Sequence, residues 1–327
     1  MMNYIFDVGL RPTPRQGLAV PGPGVSEKHC GAMFFGKGGA GDSIPCRGPG
    51  RSPGIKQRLS TALAALLLAL CLATAAQAAP LKVIAGTSLI DDIVHDLTGG
   101  DVQTVTLIKG SSCPGHESVK TTDFVFAARA DLLLIHAFQE NMVQVTGIIE
   151  AVRNETLRVA VLKPKGSWLI PSVQKTAISD VADALAAAVP EREEAIRQRA
   201  ARRMARVDEA AAESAALLAP IAGKRVVAAT VQSEFVRWAG ADVAKTYDRA
   251  EDMTPSAVAG LVKALRGEGI AGVIDNSQSG SDAGLPLALE LKVPHLVLSN
   301  FPGSSDDATD YFSLLRHNIA QLLRLAG

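Results

Sequence analysis

The stretch "LKVIAGTSLIDDIVHDLTGG", Leu81 to Gly100, decides the fold. Its first part reads as a buried strand from its Val and Ile content. Its second part reads as a short amphipathic helix with a glycine stop. A strand that feeds directly into a helix is the opening of an α/β unit, and the chain that follows repeats the unit.

Downstream, "VQTVTLI" is a second strand, followed by a loop rich in Gly, Ser and Pro and then a helix, "TTDFVFAARA". "DLLLIHA" and "LRVAVLK" are the third and fourth strands. This alternation implies a parallel sheet with right-handed crossovers. From Pro171 to about Leu218 the chain is almost wholly helix-forming, broken once near Pro190. Glu191 to Leu218 would span about 40 Å as one helix, running along the protein and joining two lobes. The alternation then resumes through "KRVVAAT", "DVAKTY", "AGVIDNS" and "PHLVLSN" to a closing helix from about Ala308 to Leu325. The expected fold class is therefore α/β: two α/β lobes with parallel sheets joined by one long backbone helix. The expected boundaries are 79–170 for the first lobe, 171–222 for the linking helices and 223–327 for the second lobe. Ligands of such open sheets sit beyond the carboxyl ends of the strands, and between lobes when two halves face each other.

Residues 1–54 are rich in Gly, Pro and Arg without hydrophobic period, and are expected to be a disordered or mis-called extension. Residues 55–78 read as a secretory signal peptide. Lys56 and Arg58 form its basic region, Thr61 to Leu72 its apolar core, and Ala76-Gln77-Ala78 its cleavage signal. The apolar core is too short for a comfortable membrane span, so no stable membrane insertion is expected. The expected location is periplasmic. Cys30, Cys46 and Cys71 fall in or before the leader, which leaves Cys113 alone in the mature chain, with no disulfide partner.

The 327 residues are 47% hydrophobic, enough for one large or two modest cores. The 33 basic and 33 acidic side chains balance, which gives no reason to expect nucleic acid as a partner. No Gly-x-Ser-x-Gly elbow is present, and Cys113 and His116, three residues apart in one loop, would rarely align as nucleophile and base. An enzyme is not expected.

Secretion, two α/β lobes and a long linking helix together resemble the metal-specific solute-binding proteins of ABC importers, the zinc and manganese receptors. The resemblance runs from residue 81 to about 326. Its most specific piece is "PGHESVKTTDFVFAARADLLLIHAFQE", similar to the family segment in which a ligand loop leads into a helix and an Ala-Asp-Leu strand. "GSWLIPSVQKTAISDVADALAAAVPE", "TVQSEFVRWAGADV" and "VPHLVLSNFPG" resemble the second, third and fourth segments. The resemblance implies a monomeric periplasmic receptor that captures a transition metal, zinc first, as transported ligand and delivers it to an ABC permease. It also puts His116 in the place of the first metal-ligand histidine. The chain departs from the pattern at the other three ligands. Gly166 and Ser167 stand where a histidine precedes the Trp, Gln232 or a neutral neighbour stands at the third, and Ser299 and Asn300 replace the acidic fourth.

Five residues are the candidates. Cys113 and His116 form a Cys-x-x-His pair able to reach one ion, the thiolate favouring zinc, copper(I) or another soft metal. His136 ends the strand "DLLLIH", at the edge expected to face the cleft. Asp275 in "VIDNSQSG" ends a strand of the second lobe in the same manner, with Gln232 nearby. Cys113, His116, His136 and one oxygen of the second lobe would make a tetrahedral set. The alternative is a receptor of the same fold without the family's metal site, binding an organic ligand or a metal complex.

Overall fold

The computed structural model describes residues 80–115 and 117–327. The expected extension, the signal peptide, Cys30, Cys46, Cys71 and His116 lie outside the described residues.

Two four-stranded parallel sheets carry the architecture. The first has the order β2-β1-β3-β4, built from β1 (Leu81–Thr87), β2 (Val102–Ile108), β3 (Leu132–His136) and β4 (Arg158–Leu162). The second has the order β6-β5-β7-β8, built from β5 (Arg225–Ala229), β6 (Asp242–Tyr247), β7 (Gly272–Asn276) and β8 (His295–Leu298). The central strands are buried along nearly their whole length, as parallel strands covered by helices on both faces must be.

The first unit shows how local sequence makes these elements. Thr87 ends β1 and caps α1 (Ser88–Thr98), its hydroxyl accepting from the Ile90 N–H. Leu89, Ile90, Ile93, Val94 and Leu97 then face the core. Gly99 stops the helix at φ +71°, a left-handed conformation that glycine adopts without strain. The remaining first-lobe helices are α2 (Thr121–Ala127) and α3 (Val143–Val152).

Two helices follow the first sheet. Pro171 opens α4 (Pro171–Ala188), its fixed φ and missing N–H suiting a first helical position. A turn at Pro190 leads into α5 (Glu193–Leu218), which is 26 residues long. The second lobe adds α6 (Ser233–Trp238), α7 (Pro255–Leu265), α8 (Leu285–Leu291) and α9 (Tyr311–Leu323). Among the described residues no helix is long and apolar enough to cross a membrane.

One continuous apolar core joins the first sheet, α4, α5 and one face of the second sheet; Leu134, Leu185, Val207, Ile274 and Leu322 all belong to it. An ion cluster ties the same parts. Arg203 of α5, only 2% exposed, donates to Asp92 and Asp96 of α1 at 2.5 and 2.8 Å. The Tyr311 N–H at the start of α9 donates to the same Asp92 carboxylate, and its hydroxyl donates to the Leu169 carbonyl.

Candidate functional site

In a parallel sheet of this order the chain leaves β1 and β3 in opposite directions, which opens a crevice at their carboxyl ends. In the first sheet that crevice is closed by the sheet's own residues. Thr87 at the end of β1 and His136 at the end of β3 meet through Oγ1 and Nε2 at 2.8 Å. His136 is 6% exposed, and its ring packs against Trp168 at 4.0 Å and against Phe138 at 5.1 Å between centroids. Burial pushes its pKa down to about 3, so the ring is neutral at physiological pH.

The second sheet repeats the arrangement with amides. Gln232, just past β5, is fully buried and donates from Nε2 to Asn276 Oδ1 at the end of β7 (2.9 Å) and to Asn300 Oδ1 beyond β8 (3.0 Å). Its own Oε1 is buried without a hydrogen-bond partner among the described residues. Gln278 continues the network, donating to Ser299 Oγ at 2.7 Å and accepting the Asn300 N–H at 3.0 Å.

Between the lobes lies a cavity of about 480 Å³. Cys113, Pro114 and Phe138 line it from the first lobe, and Asp248, Arg249, Asn276, Gln278, Ser279 and Asn300 from the second. The Cys113 loop is held over it by Gln278 Nε2, which donates to the Gly110 carbonyl at 2.6 Å; nearby, Ser88 Oγ donates to the Pro302 carbonyl at 2.7 Å. A side chain at Gly110 would collide with the Pro302 carbonyl, so only glycine permits this approach of the two loops. A wider hollow of about 710 Å³ lies among α1, β2 and the Pro302–Gly303 turn, and contains neither Cys113 nor any part of the amide network.

The candidates therefore separate. Cys113 is a free, partly exposed thiol in the wall of the cavity. His136 stands behind Phe138, its Nε2 engaged by Thr87. Gln232 lies under the cavity floor. Asp275 does not reach the cleft: it points to the other face of β7, fully buried, accepting from Tyr247 Oη, from the Gly284 N–H and pairing with His295 Nε2 at 2.6 Å. The next residue, Asn276, takes the cleft face, since neighbouring strand residues point oppositely. Among the described residues no group of three or more His, Cys, Asp or Glu side chains could hold a metal ion.

The stretch before Trp168 has a structural explanation for its missing histidine. Gly166 has φ +91°, and a Cβ there would lie 2.9 Å from Glu234 Oε2. That carboxylate crosses from α6 to accept the Ser167 N–H at 2.7 Å. The space is filled by a contact between lobes. Sequence reasoning missed Asp248 and Arg249, although "DVAKTYDR" places a charged pair immediately beyond a strand, where a cleft is expected.

Chains of known structure share this fold. A manganese-bound periplasmic metal-binding protein from Candidatus Liberibacter asiaticus is 15% identical, superimposes with a TM-score of 0.64, and covers 76% of this chain and 100% of its own. Its cadmium-bound form gives 15% and 0.65 over the same shares. A structure from a study of the metal-binding specificity of TroA gives 15% and 0.62, again with 76% and 100% covered. Such low identity establishes the architecture and leaves the ligand open. No curated protein sequence matches the chain. The sequence profile of one family runs from residue 83 to residue 324, across both sheets and the long helix. The chain belongs to the zinc-uptake complex component A periplasmic family.

Proposed function

We propose that the chain is a periplasmic receptor that captures a transition metal, zinc first, in the cleft between its lobes and delivers it to an ABC permease. It acts without catalysis, as a monomer, after removal of a signal peptide at Ala78. The observation that carries this reading is the Cys113 loop, held over a cavity between the carboxyl ends of two parallel sheets. A thiolate there, with His116 three residues on, supplies soft donors of the kind zinc takes.

A second reading is favoured by the cavity's chemistry. Its polar groups are mostly amides and hydroxyls, and its volume of about 480 Å³ suits a small molecule better than a bare ion. In this reading the cargo is an organic ligand or a metal complex.

Metal analysis combined with native mass spectrometry tests both, on protein purified without chelator. The first reading expects stoichiometric metal that is lost in Cys113→Ser and His116→Ala. The second expects extra mass from an organic component, retained in those variants. Protein free of metal and of added mass, with no zinc bound on equilibrium dialysis, defeats the first.

A further inference from the structure

The cleft contains two opposite charges that do not neutralise each other. Asp248 and Arg249 follow β6 directly, at the carboxyl end of the sheet, and both line the cavity. Among the described residues neither forms an ion pair. Asp248 is fixed in place by Thr230, whose hydroxyl donates to Oδ1 at 2.8 Å; Oδ2 has no hydrogen bond among the described residues. Arg249 extends toward the first lobe, and its Nη1 lies 3.4 Å from where a Cβ would stand on Gly115, beside Cys113. A carboxylate and a guanidinium, adjacent in sequence yet aimed apart, present one acceptor and one bidentate donor to whatever enters.

The remaining lining fits the same guest. Gln278 is committed to the internal network at both ends of its amide, and Asn276 uses one donor and one acceptor there, so the floor has few hydrogen bonds left to offer a guest. Phe138, 56% exposed, and Phe301 supply apolar walls. A guanidinium, an anchored carboxylate and aromatic walls within one cavity suit a small zwitterion with an organic side chain.

We propose that the cavity recognises an α-amino acid, its carboxylate on Arg249 and its amine on Asp248, either free or as the chelating shell of a metal ion. In the chelate both contacts persist. A coordinated amine keeps N–H groups to donate to Asp248, and a coordinated carboxylate keeps an outer oxygen to accept from Arg249. This deepens the receptor reading and rests on the cleft being the cargo site.

Isothermal titration calorimetry on the purified protein tests it. The probes are the standard L-amino acids, each alone and each premixed with zinc chloride, with zinc chloride alone as a separate arm. At least one amino acid is expected to bind, while the matching amine without its carboxylate and the matching acid without its amine do not. Arg249→Gln and Asp248→Asn, both at exposed positions, should each weaken binding by about tenfold or more without shifting the melting temperature. Binding in the absence of zinc supports the free amino acid; binding only with zinc supports the chelate. If zinc chloride binds and no amino acid changes its affinity, the amino-acid proposal is overturned and the metal receptor stands. Silence in every amino-acid arm also overturns it.

Discussion

Thr87 and His136 end neighbouring strands of the first sheet and bond to each other at 2.8 Å, and in the second sheet Gln232, just past β5, bonds to Asn276 at the end of β7 at 2.9 Å. At both crevices where a sheet of this order would receive a ligand, the protein has placed a pair of its own. A ligand entering either crevice would have to bind above these pairs or displace them.

The His136 pair makes stability depend on pH. The folded ring titrates near 3 because burial disfavours its charge, whereas the unfolded ring titrates near its ordinary value of about 6.5. Between those values the unfolded chain binds the extra proton. Stability therefore rises with pH through this window and is lost as pH falls below about 6.5. At pH 5 the loss is about 2 kcal/mol. Urea midpoints measured at pH 5 and pH 7.5 should differ accordingly, and His136→Gln should shrink the difference. An unchanged difference in that variant would assign the pH effect elsewhere.

Arg203 is buried against Asp92, so removing its charge strands that carboxylate, while Asp96 keeps Arg206 at 3.4 Å. Arg203→Met should destabilise the protein by about 3–5 kcal/mol, read from chemical denaturation. Exposed Arg197, which bridges Asp183 and Glu193 across α4 and α5, serves as the contrast. Its substitution by Met should leave the denaturation midpoint nearly unchanged, as expected for a solvent-screened surface pair.

At Gly166 the prediction concerns the stretch, Gly166 and Ser167, in which the resemblance implies a histidine. Gly166→His places a side chain at φ +91° against Glu234. The left-handed backbone alone should cost about 1–2 kcal/mol. Thermal melts should show the loss, and Glu234→Ala in the same chain should recover part of it by removing the clash. Full stability in Gly166→His would mean that the loop rearranges freely.

Cys113 reports on the cleft directly. Iodoacetamide should label the empty protein at this partly exposed thiol. Zinc should slow the labelling, and a chelator should restore it. Equal rates in all three conditions would remove the thiol from the metal's coordination.

Much of the fold was legible because parallel strands covered on both faces read as continuous apolar runs, and the long helix carries Ala where a coiled-coil arm would carry Leu heptads. The site was less so, for a physical reason visible at Asp275. A strand buried on both faces has no polar alternation to reveal which way a given residue points. Asp275 and Asn276 were therefore indistinguishable from sequence, and the structure gives the cleft to the asparagine. His136 was placed correctly at a strand end. What covers it is Trp168, some thirty positions away, and that contact leaves no local trace. The departures at Gly166 and Gln232 could be read as losses. Packing shows them occupied, one by a contact between lobes and the other by an amide network.

The single core that runs from the first sheet through α4 and α5 into the second has a consequence for how the molecule comes apart. Cutting the chain near residue 222 would strip one face of the second sheet and expose Ile274, Leu296 and Leu298 to water. Each half should then be much less stable alone than in the intact chain. The two lobes should unfold in one cooperative transition, with coincident calorimetric and spectroscopic midpoints, so the molecule behaves as one folding unit despite its two sheets.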